Sequence, residues 1–141
     1  MDKIKLVAIL RGIRPAEAAE HIETLIEAGF RYIEIPLNSP DWQQSIPQMV
    51  ARFGEQAVIG AGTVLKVEQV DFLADAGAKL IVTPNTEPTT IRRAVARGMR
   101  VCAGCATATE AFNALDAGAQ WLKIFPSSTF GPDYIRALKA V

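Results

Sequence analysis

One lysine of this sequence stands where a folded chain rarely leaves a charge. Lys123 lies in the run Trp121-Leu122-Lys123-Ile124-Phe125, whose apolar residues are typical of a strand that packs against other elements. Burying an ammonium group is costly, so a lysine in such a place tends to lose its proton. The neutral amine is a nucleophile that can form an imine with a ketone. A structural ion pair, or a bulged strand with the amine at its rim, is the alternative.

A carboxylate stands in a similar place. Glu34 lies in Tyr32-Ile33-Glu34-Ile35-Pro36. Side chains alternate between the two faces of a strand, so Ile33 and Ile35 point to one face and Glu34 to the other. If the isoleucines face helices, Glu34 faces the interior of a barrel, where a carboxylate is either paired or functional. Beside an amine nucleophile it would transfer protons. A salt bridge to an inward lysine or arginine is the alternative.

The surrounding sequence predicts strands that alternate with helices. Short apolar runs bounded by Gly or Pro predict strands, and longer amphipathic runs predict helices. The predicted strands are 7–10, 32–35, 58–61, 80–83, 100–103 and 121–125. The predicted helices are 16–28, 40–53, 66–76, 87–97, 107–117 and one that begins near Pro132.

Local signals support the predicted helices. Prolines suit the first turn of a helix, and Thr107 with Glu110 forms a capping box. Glycines that follow the predicted helices are typical of left-handed C-terminal caps. Pro47 is discordant and is expected to kink or split its helix. The first-turn prolines are Pro15, Pro40 and Pro132, and the capping glycines are Gly29, Gly77, Gly98 and Gly118.

The glycines also recur with a period. Gly29, Gly54, Gly77, Gly98 and Gly118 are 25, 23, 21 and 20 residues apart, and a strand follows each. Strand and helix alternating at this pitch predict an α/β fold with a parallel sheet. Because no glycine-rich dinucleotide motif follows the first strand, we favour a (β/α)8 TIM barrel over a doubly wound sheet. We expect residues 1–141 to be a single barrel domain, apparently truncated at its C-terminus, that holds about the first six βα units.

The period places the two charged residues together. Glu34 follows Gly29 by five residues, and Lys123 follows Gly118 by five. They therefore occupy the same place in the second and sixth units. Alternate strands of an eight-stranded barrel share an interior layer, so the carboxylate and the amine would project toward a common centre.

Two more residues follow predicted strands at the carboxyl end, where barrel active sites lie. Arg11, after the first strand, can hold a carboxylate or phosphate through a two-pronged contact. Thr63 follows Gly60-Ala61-Gly62, whose glycines allow close backbone approach. A surface arginine and a threonine that caps a turn are the alternatives.

Composition excludes several function classes. Half of the 141 residues are hydrophobic and the formal net charge is zero, so a broad nucleic-acid surface is not expected. No apolar stretch approaches about 18 residues, the length of a membrane span. The apolar run near the N-terminus, 6–10, ends at Arg11 and lacks the pattern of a secretory signal. We expect a cytoplasmic protein that binds a small molecule, with no nucleic-acid or membrane partner.

The two cysteines admit a redox alternative. Cys102 and Cys105 lie between a predicted strand and a predicted helix, which is the setting of a dithiol motif. A zinc site would need two further ligands, and the sequence has one histidine, His21. We expect small residues that line a barrel rim, and no metal site.

The chain contains four motifs of interest: Leu10-Arg11-Gly12, the stretch from Glu34 to Pro40, Gly60-Ala61-Gly62-Thr63-Val64, and Lys123-Ile124-Phe125-Pro126. Together they resemble one known family, the 2-keto-3-deoxy-6-phosphogluconate/galactonate aldolases. The resemblance covers essentially the whole chain, in order. Asn38 and the run 102–112 are similar to the galactonate branch, whereas the phosphogluconate branch usually has arginine where Asn38 stands.

The resemblance implies a class I aldolase without metal or cofactor. Lys123 would form an iminium with the C2 ketone of a phosphorylated 2-keto-3-deoxy sugar acid. Glu34, through water, would remove the C4 hydroxyl proton, releasing D-glyceraldehyde 3-phosphate and then pyruvate. Arg11 and Thr63 match positions that hold the carboxylate end of the substrate. The family is usually a homotrimer, and its phosphate loops follow strands seven and eight, which we expect beyond Val141. The phosphogluconate enzyme and a non-catalytic barrel fragment are the alternatives.

Overall fold

Parallel strands alternate with helices throughout residues 6–141, which are the residues that the computed structural model describes. The strands are β1 Val7–Ile9, β2 Tyr32–Pro36, β3 Val58–Gly62, β4 Leu80–Val82, β5 Arg100–Cys105 and β6 Trp121–Ile124. The helices are α1 Pro15–Glu27, α2 Trp42–Phe53, α3 Val67–Asp75, α4 Pro88–Ala96, α5 Ala108–Asp116 and α6 Ser127–Leu138.

The strands form one parallel sheet in the order β1-β2-β3-β4-β5-β6. Glu34 of β2 pairs with Gly60 of β3, and Gly104 of β5 pairs with Lys123 of β6. Paired residues of a sheet point to the same face, and residues two apart on one strand share that face. Following the register across the sheet places Glu34 and Lys123 on the same face, which we call the inward face.

The opposite face of the sheet carries the hydrophobic core. Ile33, Ile35, Ile59 and Ile81 are fully or almost fully buried and belong to one cluster with apolar residues of the helices. Neighbouring helices α1 and α2, α3 and α4, and α4 and α5 pack against one another. Burying each isoleucine side chain contributes roughly 1.5–3 kcal/mol, so this face fixes which side chains point inward.

Most predicted elements are confirmed, with shifted ends. Each observed strand overlaps its predicted run, but β5 continues to Cys105, two residues further than predicted. Pro40 was expected in the first helical turn, and this is wrong: α2 begins at Trp42, after Asp41 in a left-handed conformation with φ 50°. Pro47 does not split α2, which continues through it to Phe53.

The last helix differs from its prediction in part. The predicted start near Pro132 is wrong for the helix as a whole, which begins at Ser127. Gly131 interrupts the helical backbone with φ 70° and ψ 178°, and Pro132 follows it directly. The proline therefore begins the second stretch of α6.

The predicted helix ends are confirmed where glycine was expected to cap them. Gly29, Gly77, Gly98 and Gly118 all have positive φ, between 74° and 104°. At α5 the Glu110 backbone N–H donates to the Thr107 hydroxyl at 3.2 Å, and the Thr107 N–H donates to Glu110 Oε2 at 3.0 Å. This is the predicted capping box.

No helix within residues 6–141 is long and apolar enough to cross a membrane. The six strands confirm a parallel α/β sheet with alternating helices. Closure into an eight-stranded barrel stays a prediction.

Candidate active site

Glu34 is the most deeply buried charged residue of the inward face. Its side chain is 1% exposed, and it forms no ion pair with any residue from 6 to 141. Oε2 is buried without a hydrogen-bond partner in the same part of the chain. Burial raises the pKa of Glu34 from 4.5 to about 7, while the positive charges of Lys123 and Arg11 oppose the rise. A carboxyl group that titrates near neutral pH can both accept and return a proton.

Lys123 lies on β6 beside Gly104 and faces the same side of the sheet as Glu34. The side chain is partly buried, less than the sequence predicts. Its Nζ lies 5.0 Å from the centre of the Phe125 ring, within range of a cation–π contact. Its positive charge opposes the rise that burial causes in the pKa of both Glu34 and Cys102. Lys123 is therefore close enough to both groups to act on them electrostatically.

Arg11 follows β1 and is exposed. Its guanidinium makes no hydrogen bond or ion pair with another of the described residues, yet its charge reaches Glu34. The turn that carries it is fixed by Ser39, whose buried hydroxyl accepts the Gly12 N–H at 2.9 Å. Arg11 is therefore a cation at the edge of the site that has no partner among residues 6–141.

Thr63 follows β3 in an unusual backbone conformation. Its φ is +55°, which is an outlier for a β-branched residue. Such a conformation costs of the order of 1–3 kcal/mol and persists only where the surrounding structure imposes it. Val64 is fully buried directly after it and holds the chain on this path. The partly buried Thr63 hydroxyl has no hydrogen-bond partner in the described part of the chain, so it is free to meet a ligand.

The cysteines lie on opposite faces of β5. Cys102 pairs with Trp121 and points inward, whereas Cys105 pairs with Ile124 and is buried on the helical side. Three residues along a strand span about 10 Å, too far for a disulfide. Burial also raises the pKa of the Cys102 thiol to about 11 and that of Cys105 above its usual range. The dithiol alternative is therefore wrong.

A side-chain clamp joins β4 to β5 next to Lys123. β4 ends at Val82, and Thr83 Oγ1 then accepts the Gly104 N–H at 3.1 Å and donates to the Asn85 carbonyl at 2.7 Å. Thr86 Oγ1 donates to the Gly104 carbonyl at 2.6 Å. The Thr83 N–H still donates to the Cys102 carbonyl at 3.1 Å, and the two threonine hydroxyls extend the hydrogen bonding to Gly104, the residue of β5 that pairs with Lys123.

Sequence reasoning missed the clamp, the contact of Ser39 and the inward thiol of Cys102. The first two are tertiary contacts that carry no local signal. Alternation along the strand would have placed Cys102 inward, given that β5 reaches Cys105. The charges of Lys123 and Arg11 both reach Glu34, and Thr63 lies at the end of the strand beside Glu34.

A parallel α/β sheet with an amine and a buried, near-neutral carboxyl on one face is suited to Schiff-base aldolase chemistry. The chain belongs to the KDPG and KHG aldolase family, whose model matches residues 1–141.

Individual relatives agree with this assignment. The chain is 67% identical over 139 residues to 2-dehydro-3-deoxy-6-phosphogalactonate aldolase of Escherichia coli (strain K12), covering 99% of this chain and 68% of that protein. It is 52% identical over 136 residues to a protein of Rhizobium meliloti (strain 1021) named "Probable 2-dehydro-3-deoxy-6-phosphogalactonate aldolase", covering 96% of this chain and 64% of the relative.

A solved structure described as native KDPGal superposes with a TM-score of 0.97 at 66% identity, covering 100% of this chain and 68% of that one. The chain thus spans about two thirds of the length of the relatives it matches.

Proposed function

We propose that this chain carries the catalytic centre of a class I, metal-independent aldolase that cleaves 2-dehydro-3-deoxy-6-phospho-D-galactonate to pyruvate and D-glyceraldehyde 3-phosphate. The observation that carries the proposal is that Glu34 and Lys123 lie on the same inward face, where the positive charge of Lys123 acts on Glu34. The two relatives named for the phosphogalactonate substrate support the choice of sugar acid.

The proposed reaction begins at the amine of Lys123. The amine attacks the C2 ketone, water leaves, and an iminium forms. Glu34, through water, takes the proton of the C4 hydroxyl. The electron pair of the C3–C4 bond then moves to the iminium nitrogen, the aldehyde leaves, and an enamine of pyruvate remains. Glu34 then returns a proton to C3 of that enamine, and hydrolysis of the imine releases pyruvate and restores the amine.

Arg11 and Thr63 have proposed roles in holding the carboxylate end of the substrate. Arg11 is a cation at the site edge without a partner in the described part of the chain, and its planar fork matches a carboxylate. The Thr63 hydroxyl, at the end of the strand beside Glu34, likewise makes no hydrogen bond to a described residue. Lys123 itself contacts the substrate through the imine.

The remaining proposals concern the whole molecule. We infer an eight-stranded barrel domain, of which residues 1–141 hold the first six units, that works as a homotrimer in the cytoplasm. The alternating parallel units and the relatives support the barrel. Size-exclusion chromatography with light scattering of the protein would test the trimer.

Reductive trapping tests the proposed chemistry. Pyruvate and borohydride should add a stable three-carbon unit to the protein, and peptide mass spectrometry should locate it at Lys123. Lys123→Ala should abolish the adduct, whereas the matched substitution Lys79→Ala, on a loop at the far end of the sheet, should leave it. Trapping at a single lysine that survives Lys123→Ala would contradict the assignment.

A parallel assay addresses the substrate. The phosphogalactonate and phosphogluconate epimers differ at C4, and release of pyruvate can be followed for each. We expect a higher kcat/KM for the phosphogalactonate epimer. A preference for the phosphogluconate epimer would favour the alternative named from the family resemblance.

A further inference from the structure

The carboxylate of Glu34 lies directly against the backbone of β3 at Gly62. A Cβ atom added to Gly62 would lie 2.0 Å from Glu34 Oε2 and 2.4 Å from both Oε1 and Cδ. Real Cβ contacts below 3.0 Å essentially never occur. A side chain at residue 62 and the carboxylate of Glu34 therefore cannot both occupy their present space.

Gly62 differs in this respect from the other two glycines within the described strands, Gly60 of β3 and Gly104 of β5. At Gly60 an added Cβ would meet the Leu80 carbonyl oxygen at 2.1 Å, and at Gly104 it would meet the main chain of Pro84 at 2.3 Å. Those two glycines allow backbone segments to approach. At Gly62 the three nearest atoms all belong to the carboxylate end of one side chain.

The backbone at Gly62 does not itself require glycine. Gly62 is not among the glycines with positive φ, and it ends β3 as an ordinary strand residue. Alanine could adopt this conformation, so what excludes a side chain is the carboxylate of Glu34. The Gly62 carbonyl accepts the Leu37 N–H at 2.9 Å, which fixes the distance between β2 and β3 at this point.

We propose that Gly62 is a positioning residue for Glu34: its missing side chain forms the seat in which the proton-transferring carboxylate lies buried. This inference rests on the proposed function, in which Glu34 moves the protons. Any side chain at residue 62 drives the carboxylate off its seat while leaving the amine of Lys123 in place. The seat therefore controls proton transfer and not imine formation.

Gly62→Ala separates these two steps. Imine formation is measured by borohydride trapping of pyruvate at Lys123, and proton transfer by exchange of the pyruvate methyl protons for deuterium in D2O. We expect the trapping yield to stay within about threefold of the unaltered protein. We expect the exchange rate to fall roughly 10²-fold, a loss that a misplacement of about 1 Å can cause. Equal losses in trapping and exchange would overturn the proposal.

A double-mutant comparison gives a readout that does not depend on activity. Gly62→Ala should lower Tm by roughly 5 °C or more when Glu34 is present, because the carboxylate must move. The same substitution combined with Glu34→Ala should cost less than half as much, since no side chain then occupies the seat. Glu34→Gln keeps the shape of the side chain without its charge. In that background Gly62→Ala should lower Tm by as much as it does when Glu34 is present.

The Tm comparison tests the proposal even if Gly62→Ala fails to fold. If Gly62→Ala unfolds with Glu34 present, the proposal requires that the combination with Glu34→Ala folds. A Tm loss that is the same whatever occupies residue 34 would show that Gly62 serves the backbone, and the proposal would be wrong. If the unaltered protein shows neither trapping nor exchange, the proposed function fails, while the Tm series still decides whether Gly62 seats the carboxylate.

Discussion

The inward face of the sheet carries charged groups at the amino ends and at the carboxyl ends of its strands. The two sets differ in how many of their groups have a bonding partner. At the amino ends of the strands, Arg100 Nη1 donates to the Tyr32 hydroxyl at 2.8 Å and its guanidinium lies 4.8 Å from the centre of the Trp121 ring. The two aromatic rings meet edge to face at 5.1 Å. At the carboxyl ends, neither Glu34 Oε2, which is buried, nor the guanidinium of Arg11 has a partner among residues 6–141.

The difference shows where this fold leaves bonding capacity unused. A buried polar atom without a partner costs about 1–3 kcal/mol, so a sequence selected for stability alone would have paired it. At the amino ends the cation is already matched by aromatic faces and a hydroxyl. At the carboxyl ends the unmatched carboxylate and guanidinium are available to a ligand, which is what a catalytic site requires. Substitution of Glu34 or Arg11 should therefore change chemistry most, and substitution of Arg100 should change stability.

Glu34→Gln is expected to have the largest effect. It keeps the shape of the side chain but cannot take a proton, so pyruvate release and methyl exchange should fall by about 10²–10⁴. Trapping of pyruvate at Lys123 should persist, because imine formation needs the amine. Normal turnover in this variant would mean that the carboxylate is structural.

The same residue should control how stability depends on pH. The folded state holds the Glu34 proton up to a pKa of about 7, against an ordinary 4.5, so the stabilisation is complete below pH 4.5 and is lost as pH rises to about 7. The free energy of unfolding should fall by roughly 3 kcal/mol over this pH range. Urea unfolding at pH 5 and pH 8 measures it, and Glu34→Gln should remove it. Identical pH dependence in the two proteins would place the titrating group elsewhere.

Arg11→Lys should have a smaller effect, confined to binding. The lysine keeps the charge but loses the two-pronged contact, so KM should rise roughly tenfold with kcat little changed. Stability should not change, because the guanidinium has no partner in the described residues. Arg14→Lys is the matched control: Arg14 is exposed and pairs with Glu17 on α1, and its replacement should leave KM alone.

Arg100→Met tests the amino ends of the strands and should have the smallest effect on catalysis. It removes the hydrogen bond to Tyr32 and the contacts with the two rings, which should cost about 1–2 kcal/mol in the free energy of unfolding. The kcat/KM should stay within about twofold. A tenfold loss of kcat/KM with unchanged stability would reverse the roles assigned to the two ends.

The repeat of strand and helix could be predicted because its signals are local. Gly29, Gly77, Gly98 and Gly118 mark left-handed helix ends, and alternation around Glu34 shows which way it points. The prediction for Pro40 was wrong because the left-handed backbone of Asp41 delays the start of α2 by two residues. That conformation depends on how the loop packs, and no local signal reveals it.

The residues that we propose for the site stand out in the sequence, but their contacts do not. Glu34 and Lys123 stand out because charge is rare in apolar strands, and their common face is confirmed by the register. The contact of Glu34 with Gly62 and the hydrogen bond from Gly12 to Ser39 join different strands and loops. They depend on strand register to within one residue, which residue patterns do not specify.

The strained backbone of Thr63 sets heat resistance against catalytic activity. At φ +55° a glycine or an asparagine would relieve about 1–3 kcal/mol of backbone strain, so a library at residue 63 selected for heat resistance should enrich them. Selection for pyruvate release should instead retain threonine, if its hydroxyl holds the substrate as proposed. Glycine and asparagine should therefore rank above threonine for heat resistance and below it for pyruvate release. The difference in Tm between the threonine and glycine variants measures how much stability residue 63 gives up for its proposed contact with substrate.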